Sequence, residues 1–189
     1  MGNSMRQYRV AFILILIVLS GACLGYAFYE YPYWNRAPFY LPVDSQEKLT
    51  IRADSYGSGK FGAKRSAGRR HRGIDLLAKL GSPVYAVRSG RVIKAARHPG
   101  YGNFVIITHR EGYQSLYAHL EKIEIEGGKR VRQGEMIGHV GKTGNAHRKA
   151  IQPHLHFEWI QNGEPVDPTD LLNTIDTRDE RRSAIDEGR

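Results

Sequence analysis

The sequence predicts an all-β protein with an antiparallel β-sandwich or barrel-like core, preceded by one N-terminal transmembrane helix. Two observations carry this prediction. Short runs rich in Val, Ile, Tyr and Phe recur at roughly ten-residue spacing, separated by Gly, Pro or Asn. Near the N-terminus, the 20 consecutive residues from Val10 to Tyr29 carry no charge. No convincing helical pattern occurs between that segment and Pro168.

The uncharged segment 10–29 is long enough to span a membrane, because a helix of about 20 residues crosses a bilayer of about 30 Å. Arg6 and Arg9 precede it, which places residues 1–9 in the cytoplasm and the rest of the chain outside, as in a single-pass protein of the inner membrane. A cleaved signal peptide is one alternative, and a lipoprotein-type cleavage before Cys23 is another. All three versions export the following domain to the periplasmic side of the cell envelope.

Composition divides the remaining chain into three parts. Residues 30–44 are rich in Pro and aromatic side chains, which predicts an extended linker. Residues 45–172 contain the strand-like runs and form the predicted domain. Residues 173–189 are polar and charged, which predicts a solvated C-terminal tail.

Within the domain, the strands are predicted from runs of β-branched and aromatic residues. They lie at 83–87, 91–95, 104–108, 114–120, 136–140 and 155–160. The preceding region, 57–73, is rich in glycine and is predicted to form a loop. Six Lys or Arg residues occur from Lys60 to Arg72 without an acidic residue among them.

Charge and cysteine content restrict the classes of partner and site. The formal net charge is +9, which favours nucleic acid, acidic lipid or an anionic polymer as a partner. Export argues against nucleic acid, and no nucleic-acid partner is expected. Cys23 is the single cysteine, so that the domain has no intrachain disulfide and any metal site must use His, Asp or Glu.

A His-x-His pattern lies inside the last predicted strand. Successive strand residues point to opposite faces, so His154 and His156 share one face while Leu155 and Phe157 point into the core. Two imidazoles on one side and apolar residues on the other are typical of a strand that lines a site.

A second pattern, His71-x-x-x-Asp75, becomes a metal-binding candidate if Gly73 allows the chain to bend. Catalytic zinc takes three protein ligands and leaves a fourth position to water. His71, Asp75 and one histidine of the His-x-His pattern supply such a set. His119 and the other histidine then lie near the open position, where one accepts a proton and the other holds the developing oxyanion. The other four histidines, which are predicted to be surface or turn residues, are His98, His109, His139 and His147.

Five segments together carry a family resemblance. They are His71-Arg72-Gly73-Ile74-Asp75-Leu76, Gly100-Tyr101-Gly102-Asn103, Leu116-Tyr117-Ala118-His119-Leu120, Gly141-Lys142-Thr143-Gly144 and Pro153-His154-Leu155-His156-Phe157-Glu158. In this order they resemble the lysostaphin- and LytM-type zinc peptidases of the bacterial cell wall. The resemblance covers about residues 54–172, with two departures: the basic loop before His71 and an insertion between Gly144 and Pro153.

The resemblance implies an all-β core with a substrate groove and one Zn²⁺ ion. It implies His71, Asp75 and His156 as metal ligands, with His119 and His154 as the catalytic histidines. The implied substrate is the peptide stems and cross-links of peptidoglycan, cut by a metal-activated water. The alternative is a non-catalytic wall-binding or regulatory module of the same fold that controls another wall hydrolase. An activator or regulator protein is a further candidate partner.

Overall fold

The computed structural model describes residues 2–30, 39–43 and 49–172. The chain divides into two compact units, residues 1–34 and 35–189. In the first unit a helix, α1, covers Gly2–Glu30 and includes the segment for which a membrane span is predicted. Among the described residues, no helix combines the length and the apolar character needed to cross a membrane. The structure therefore does not support the predicted transmembrane anchor.

The second unit is built from strands. Their bounds are β1 (Ala53–Asp54), β2 (Gly57–Ser58), β3 (Ile74–Leu77), β4 (Pro83–Tyr85), β5 (Gly90–His98), β6 (Gly102–Thr108), β7 (Gln114–Ile123), β8 (Arg130–Val131), β9 (Met136–Val140), β10 (His154–Gln161) and β11 (Glu164–Val166). Strands β1 and β2 pair with each other, and the other nine form one sheet. Every strand pairing among the described residues is antiparallel, which confirms the predicted antiparallel β character of the domain.

Three neighbouring strands of the large sheet position the predicted site. Strand β10 lies between β3 and β7, and the main path of the sheet runs β11-β10-β7-β6-β5-β8. In this register His156 lies opposite Asp75 of β3 on one side and Ala118 of β7 on the other. Directly opposed residues of antiparallel strands point to the same face, so the pairing brings residues 81 positions apart into contact.

The opposite face of β10 packs into the hydrophobic core, as the alternation predicts. Leu155 and Phe157 are fully buried, together with Tyr117 of β7. Phe39 and Val43 are also buried in this core, although both fall in the predicted linker 30–44. Apolar residues on one face therefore fix the strand whose other face carries the two histidines.

All six predicted strands are present, within a few residues at each end. Strand β3 has no counterpart in the prediction, because it has only four residues. Three of them are buried, which removes the polar–apolar alternation of a half-buried strand. The predicted tail 173–189 and most of the predicted linker lie outside the described residues.

Candidate metal centre

Three side-chain atoms from the loop before β3, from β3 and from β10 converge on one point. His71 Nε2 lies 3.0 Å from Asp75 Oδ1 and 3.0 Å from His156 Nδ1. His156 Nδ1 lies 2.9 Å from Asp75 Oδ1. All three residues are buried. They are a group that can hold a metal ion.

The donor set and its size fit zinc. Zinc accepts His nitrogen and Asp oxygen at about 2.0–2.2 Å, so tetrahedral ligand atoms lie about 3.3 Å apart. The observed triangle, with sides of 2.9 to 3.0 Å, needs only a slight opening to reach that spacing. Two imidazoles and one carboxylate leave a fourth position for another ligand, which is the pattern of catalytic zinc sites.

Gly73 contributes by its lack of a side chain. A Cβ at this position would lie 2.2 Å from the carbonyl oxygen of Phe157 in β10. The glycine therefore allows the chain between His71 and Asp75 to run against the backbone of β10. The sequence suggests a role for Gly73 in bending the chain. The structure adds that Gly73 allows close approach to β10, and this approach lets His71 and Asp75 meet.

Each of the three converging residues has a second partner on the side away from the point of convergence. His71 Nδ1 donates to the carbonyl oxygen of Lys60 at 2.9 Å. His156 Nε2 lies 3.0 Å from Glu158 Oε1. Asp75 Oδ2 accepts from Arg52 Nη2 at 2.9 Å. Such outer partners orient metal ligands and fix which nitrogen of each imidazole is free to bind.

In the metal-free chain these contacts displace the pKa values of three groups. Burial acts to lower the pKa of His156, but its hydrogen bonds with Asp75 and Glu158 prevail and raise the pKa to about 9. Burial acts to raise the pKa of Asp75, yet the hydrogen bonds from His156 and His71 hold it far below its ordinary value. Burial acts to raise the pKa of Glu158 as well, but the hydrogen bond from His156 outweighs burial and lowers it. A proton on His156 therefore occupies the position where a metal ion would bind.

Two further histidines face this group. The rings of His119 and His154 are 5.0 Å apart between centroids, and His119 lies 5.8 Å from the ring of His156. His154 Nε2 is 3.9 Å from Asp75 Oδ1. The structure therefore brings all five residues predicted from the sequence to one place.

The two facing histidines are held in the same way. Nδ1 of His119 lies 3.0 Å from the carbonyl oxygen of Thr143, and Nδ1 of His154 lies 2.7 Å from that of Gln152. A carbonyl only accepts, so Nδ1 carries the proton in the neutral ring and Nε2 has a free lone pair. Burial lowers the pKa of His119 to about 3, with contributions from His156 and His154, and burial also lowers the pKa of His154. Both rings are therefore neutral proton acceptors at pH 7.

The backbone at His119 is in the left-handed region, with φ of 64°. This conformation costs a residue with a side chain about 1–2 kcal/mol. The N–H of His119 donates to the carbonyl of Tyr101 at 2.8 Å, which helps to hold it there. A Cβ on Gly144 would lie 2.2 Å from the nitrogen of Gly102, so the two loops that hold His119 meet through these glycines. The contact gives a structural reason for the Gly-Tyr-Gly-Asn and Gly-Lys-Thr-Gly segments.

The sequence predicted no role for three residues of this centre, Arg52, Tyr101 and Glu158, although the last two lie in the motifs that carry the family resemblance. Glu158 was detectable, because the alternation that pairs His154 with His156 also places Glu158 on their face. Arg52 gave no signal, since it precedes Asp75 by 23 residues and no local pattern connects them. His109, predicted to be a surface or turn residue, adjoins the turn Arg110–Gly112 but does not lie at the surface: it is 7% exposed and stacks on the ring of Trp159.

Fold and site together define a mostly β, antiparallel protein with a buried His–Asp–His group able to hold one metal ion. Residues 69–168 match the family model described as Peptidase family M23, which is more than half of the chain. The chain belongs to this family. The resemblance seen in the sequence motifs is thereby confirmed.

Known proteins similar to this chain agree with that membership. The chain is 39% identical over 97 residues to peptidoglycan DD-endopeptidase ShyB of Vibrio cholerae, covering 51% of this chain but 22% of that protein. A zinc-containing peptidase from Vibrio cholerae matches with a TM-score of 0.55 and 34% identity, over 71% of this chain and 38% of that one. The catalytic domain of lysostaphin from Staphylococcus simulans matches with a TM-score of 0.54 and 31% identity, over 62% of this chain and 90% of that domain.

Proposed function

We propose that this chain is a zinc-dependent endopeptidase that hydrolyses peptide cross-links of bacterial peptidoglycan. The observation that carries the proposal is the joint arrangement of the five residues. Three donor atoms of a buried His–Asp–His group converge within about 3 Å of one another, and two neutral histidines face them. This combination suits hydrolysis of an amide bond by an activated water.

In this proposal His71 Nε2, Asp75 Oδ1 and His156 Nδ1 hold the zinc ion. Bound zinc supplies Lewis acidity and lowers the pKa of a water molecule toward neutrality. The rings of His119 and His154 lie 5.0 Å apart, and each has Nδ1 held by a carbonyl, so either Nε2 is free to accept the proton of the attacking water. Once protonated, that imidazole donates from Nε2 to the developing oxyanion or to the leaving amine.

The proposed substrate and location follow from the relatives. A similar protein is named a peptidoglycan DD-endopeptidase, and another is lysostaphin. Peptidoglycan lies outside the cytoplasmic membrane, which agrees with export of the domain to the cell envelope. Attachment through segment 10–29 stays a prediction, with a cleaved signal peptide or a lipoprotein-type cleavage before Cys23 as its alternatives.

The test uses the purified full chain. We expect about one equivalent of bound zinc by elemental analysis, and release of soluble peptide fragments from purified peptidoglycan that stops when a chelator is added. Zinc binding without release, even in prolonged digests, would favour the non-catalytic wall-binding or regulatory module. Absence of both zinc and release would contradict the proposal.

A further inference from the structure

We propose that Glu158, held by Tyr101, is the positioning residue that fixes the ring of His156 with Nδ1 turned toward the metal. The inference rests on the proposed function, because it concerns the same centre. Glu158 is assigned no contact with zinc or with substrate. Its role acts through His156.

Glu158 lies on β10 two residues after His156, on the same face, and is 1% exposed. Its Oε1 accepts from the Tyr101 hydroxyl at 2.7 Å and from His156 Nε2 at 3.0 Å. A buried carboxylate is costly unless hydrogen bonds compensate its lost hydration. These two donors, with Arg72 Nε 3.8 Å from Oε2, supply that compensation.

The carboxylate determines which nitrogen of His156 faces the metal. An ionised carboxylate only accepts hydrogen bonds, so Nε2 must carry the proton and Nδ1 is left to bind. Rotating the ring by half a turn would replace Nδ1 with a carbon atom at the metal and would remove the hydrogen bond to Glu158. The ring of His156 has its Nδ1 2.9 Å from Asp75 Oδ1, which is the orientation that Glu158 selects.

Tyr101 connects this positioning contact to the facing histidines. Its hydroxyl donates to Glu158, while its backbone carbonyl accepts the N–H of His119. The ring of Tyr101 also lies 5.7 Å from the ring of His156. One loop residue thus supports a metal-binding histidine through its side chain and a proton-accepting histidine through its backbone.

The experiment compares the zinc-loaded full chain with Glu158→Ala, Glu158→Gln and Tyr101→Phe variants. The readout is the rate at which excess chelator removes zinc, with the absorption spectrum of the cobalt-substituted chain as a second measure of ligand geometry. Glu124→Ala is the matched control, because Glu124 is a partly exposed carboxylate paired with Lys122 away from the centre. Circular dichroism of the metal-free variants checks that each one folds.

We expect zinc release from Glu158→Ala to be about 10- to 100-fold faster than from the Glu124→Ala control, with an altered cobalt spectrum. Glu158→Gln retains an oxygen acceptor and should fall between the two, and Tyr101→Phe should give a smaller increase. If Glu158→Ala does not fold, the intermediate rate of Glu158→Gln carries the same test. Release rates and spectra equal to the control in the folded variants would overturn the role of Glu158. Failure of the unsubstituted chain to bind zinc would instead overturn the proposed function.

Discussion

His109 and His119 are two buried histidines of the same domain with different surroundings. Their exposed fractions are 7% and 6%, and burial lowers the pKa of His109 to about 4 and that of His119 to about 3. Both ring nitrogens of His109 are engaged, Nδ1 at 3.0 Å from the Ser89 carbonyl and Nε2 at 2.8 Å from the Ser115 hydroxyl. His119 engages Nδ1 with Thr143, whereas its Nε2 has no hydrogen-bond partner among the residues that the structure describes.

Burial and a lowered pKa therefore do not by themselves identify a catalytic histidine. His109 continues into a network in which the Ser115 hydroxyl lies 3.0 Å from that of Tyr117, and its ring stacks on Trp159. Such a fully satisfied network holds the core together. A neutral ring that is fixed at one nitrogen and free at the other, beside a group able to hold a metal ion, suits proton transfer.

The strongest predicted difference between His109 and His119 is in peptidoglycan cleavage. His119→Ala should reduce peptidoglycan cleavage by about 10²- to 10⁴-fold, because it removes a proton acceptor and leaves the His–Asp–His group intact. His109→Ala should keep cleavage within a fewfold of the unsubstituted chain at a temperature where it is folded. Fragment release is measured for both variants together with bound zinc. Equal loss of activity in the two variants would remove the distinction between them.

The pH dependence of zinc affinity tests whether His109 and His119 stay neutral while His156 titrates. With its pKa raised to about 9, His156 is protonated at pH 7 in the metal-free chain, and zinc must displace that proton. Apparent zinc affinity should therefore fall about tenfold for each unit that pH is lowered from about 9 to about 7. Competition with a chelator of known protonation behaviour measures the slope. A flat profile would contradict the raised pKa, and a clearly steeper one would show that a second histidine is titrating.

The raised pKa of His156 also predicts how the stability of the metal-free chain changes with pH. A pKa above the ordinary value of about 6.5 means that the protonated His156 stabilises the fold, fully below about pH 6.5. This contribution is lost as pH rises through about 9. His109 and His119, whose pKa values are lowered, are neutral in the folded chain throughout this range and contribute little to the change between pH 7 and pH 9.

The weakest predicted effect is a loss of stability when His109 is replaced. His109→Leu removes two buried hydrogen bonds and should lower the free energy of unfolding by about 1–3 kcal/mol. Zinc affinity should not change. Urea denaturation of the metal-free chain measures the difference, with His139→Leu as a partly exposed control. A loss of zinc affinity in folded His109→Leu would place His109 in the functional centre and contradict the comparison.

Much of the fold and the site was predictable because the sequence patterns that specify them are local. The alternation in β10 alone places His154 and His156 on one face and Leu155 and Phe157 in the core. Runs of β-branched and aromatic residues between turn residues located six strands. The ordered motifs indicate the family. The family resemblance in turn predicts His71, Asp75 and His156 as the metal ligands, a choice between His154 and His156 that the residues alone left open.

Contacts between residues that are distant in sequence are visible only in the tertiary structure. Only the register of β10 against β3 sets His156 opposite Asp75, and only packing brings Arg52 to the outer oxygen of Asp75. The burial of His109 and the free nitrogen of His119 depend on hydrogen-bond partners supplied by other strands and loops. A sequence pattern specifies the direction of a side chain along its own strand. The partners that fix a ring nitrogen, a proton or a carboxylate exist only after the strands have paired.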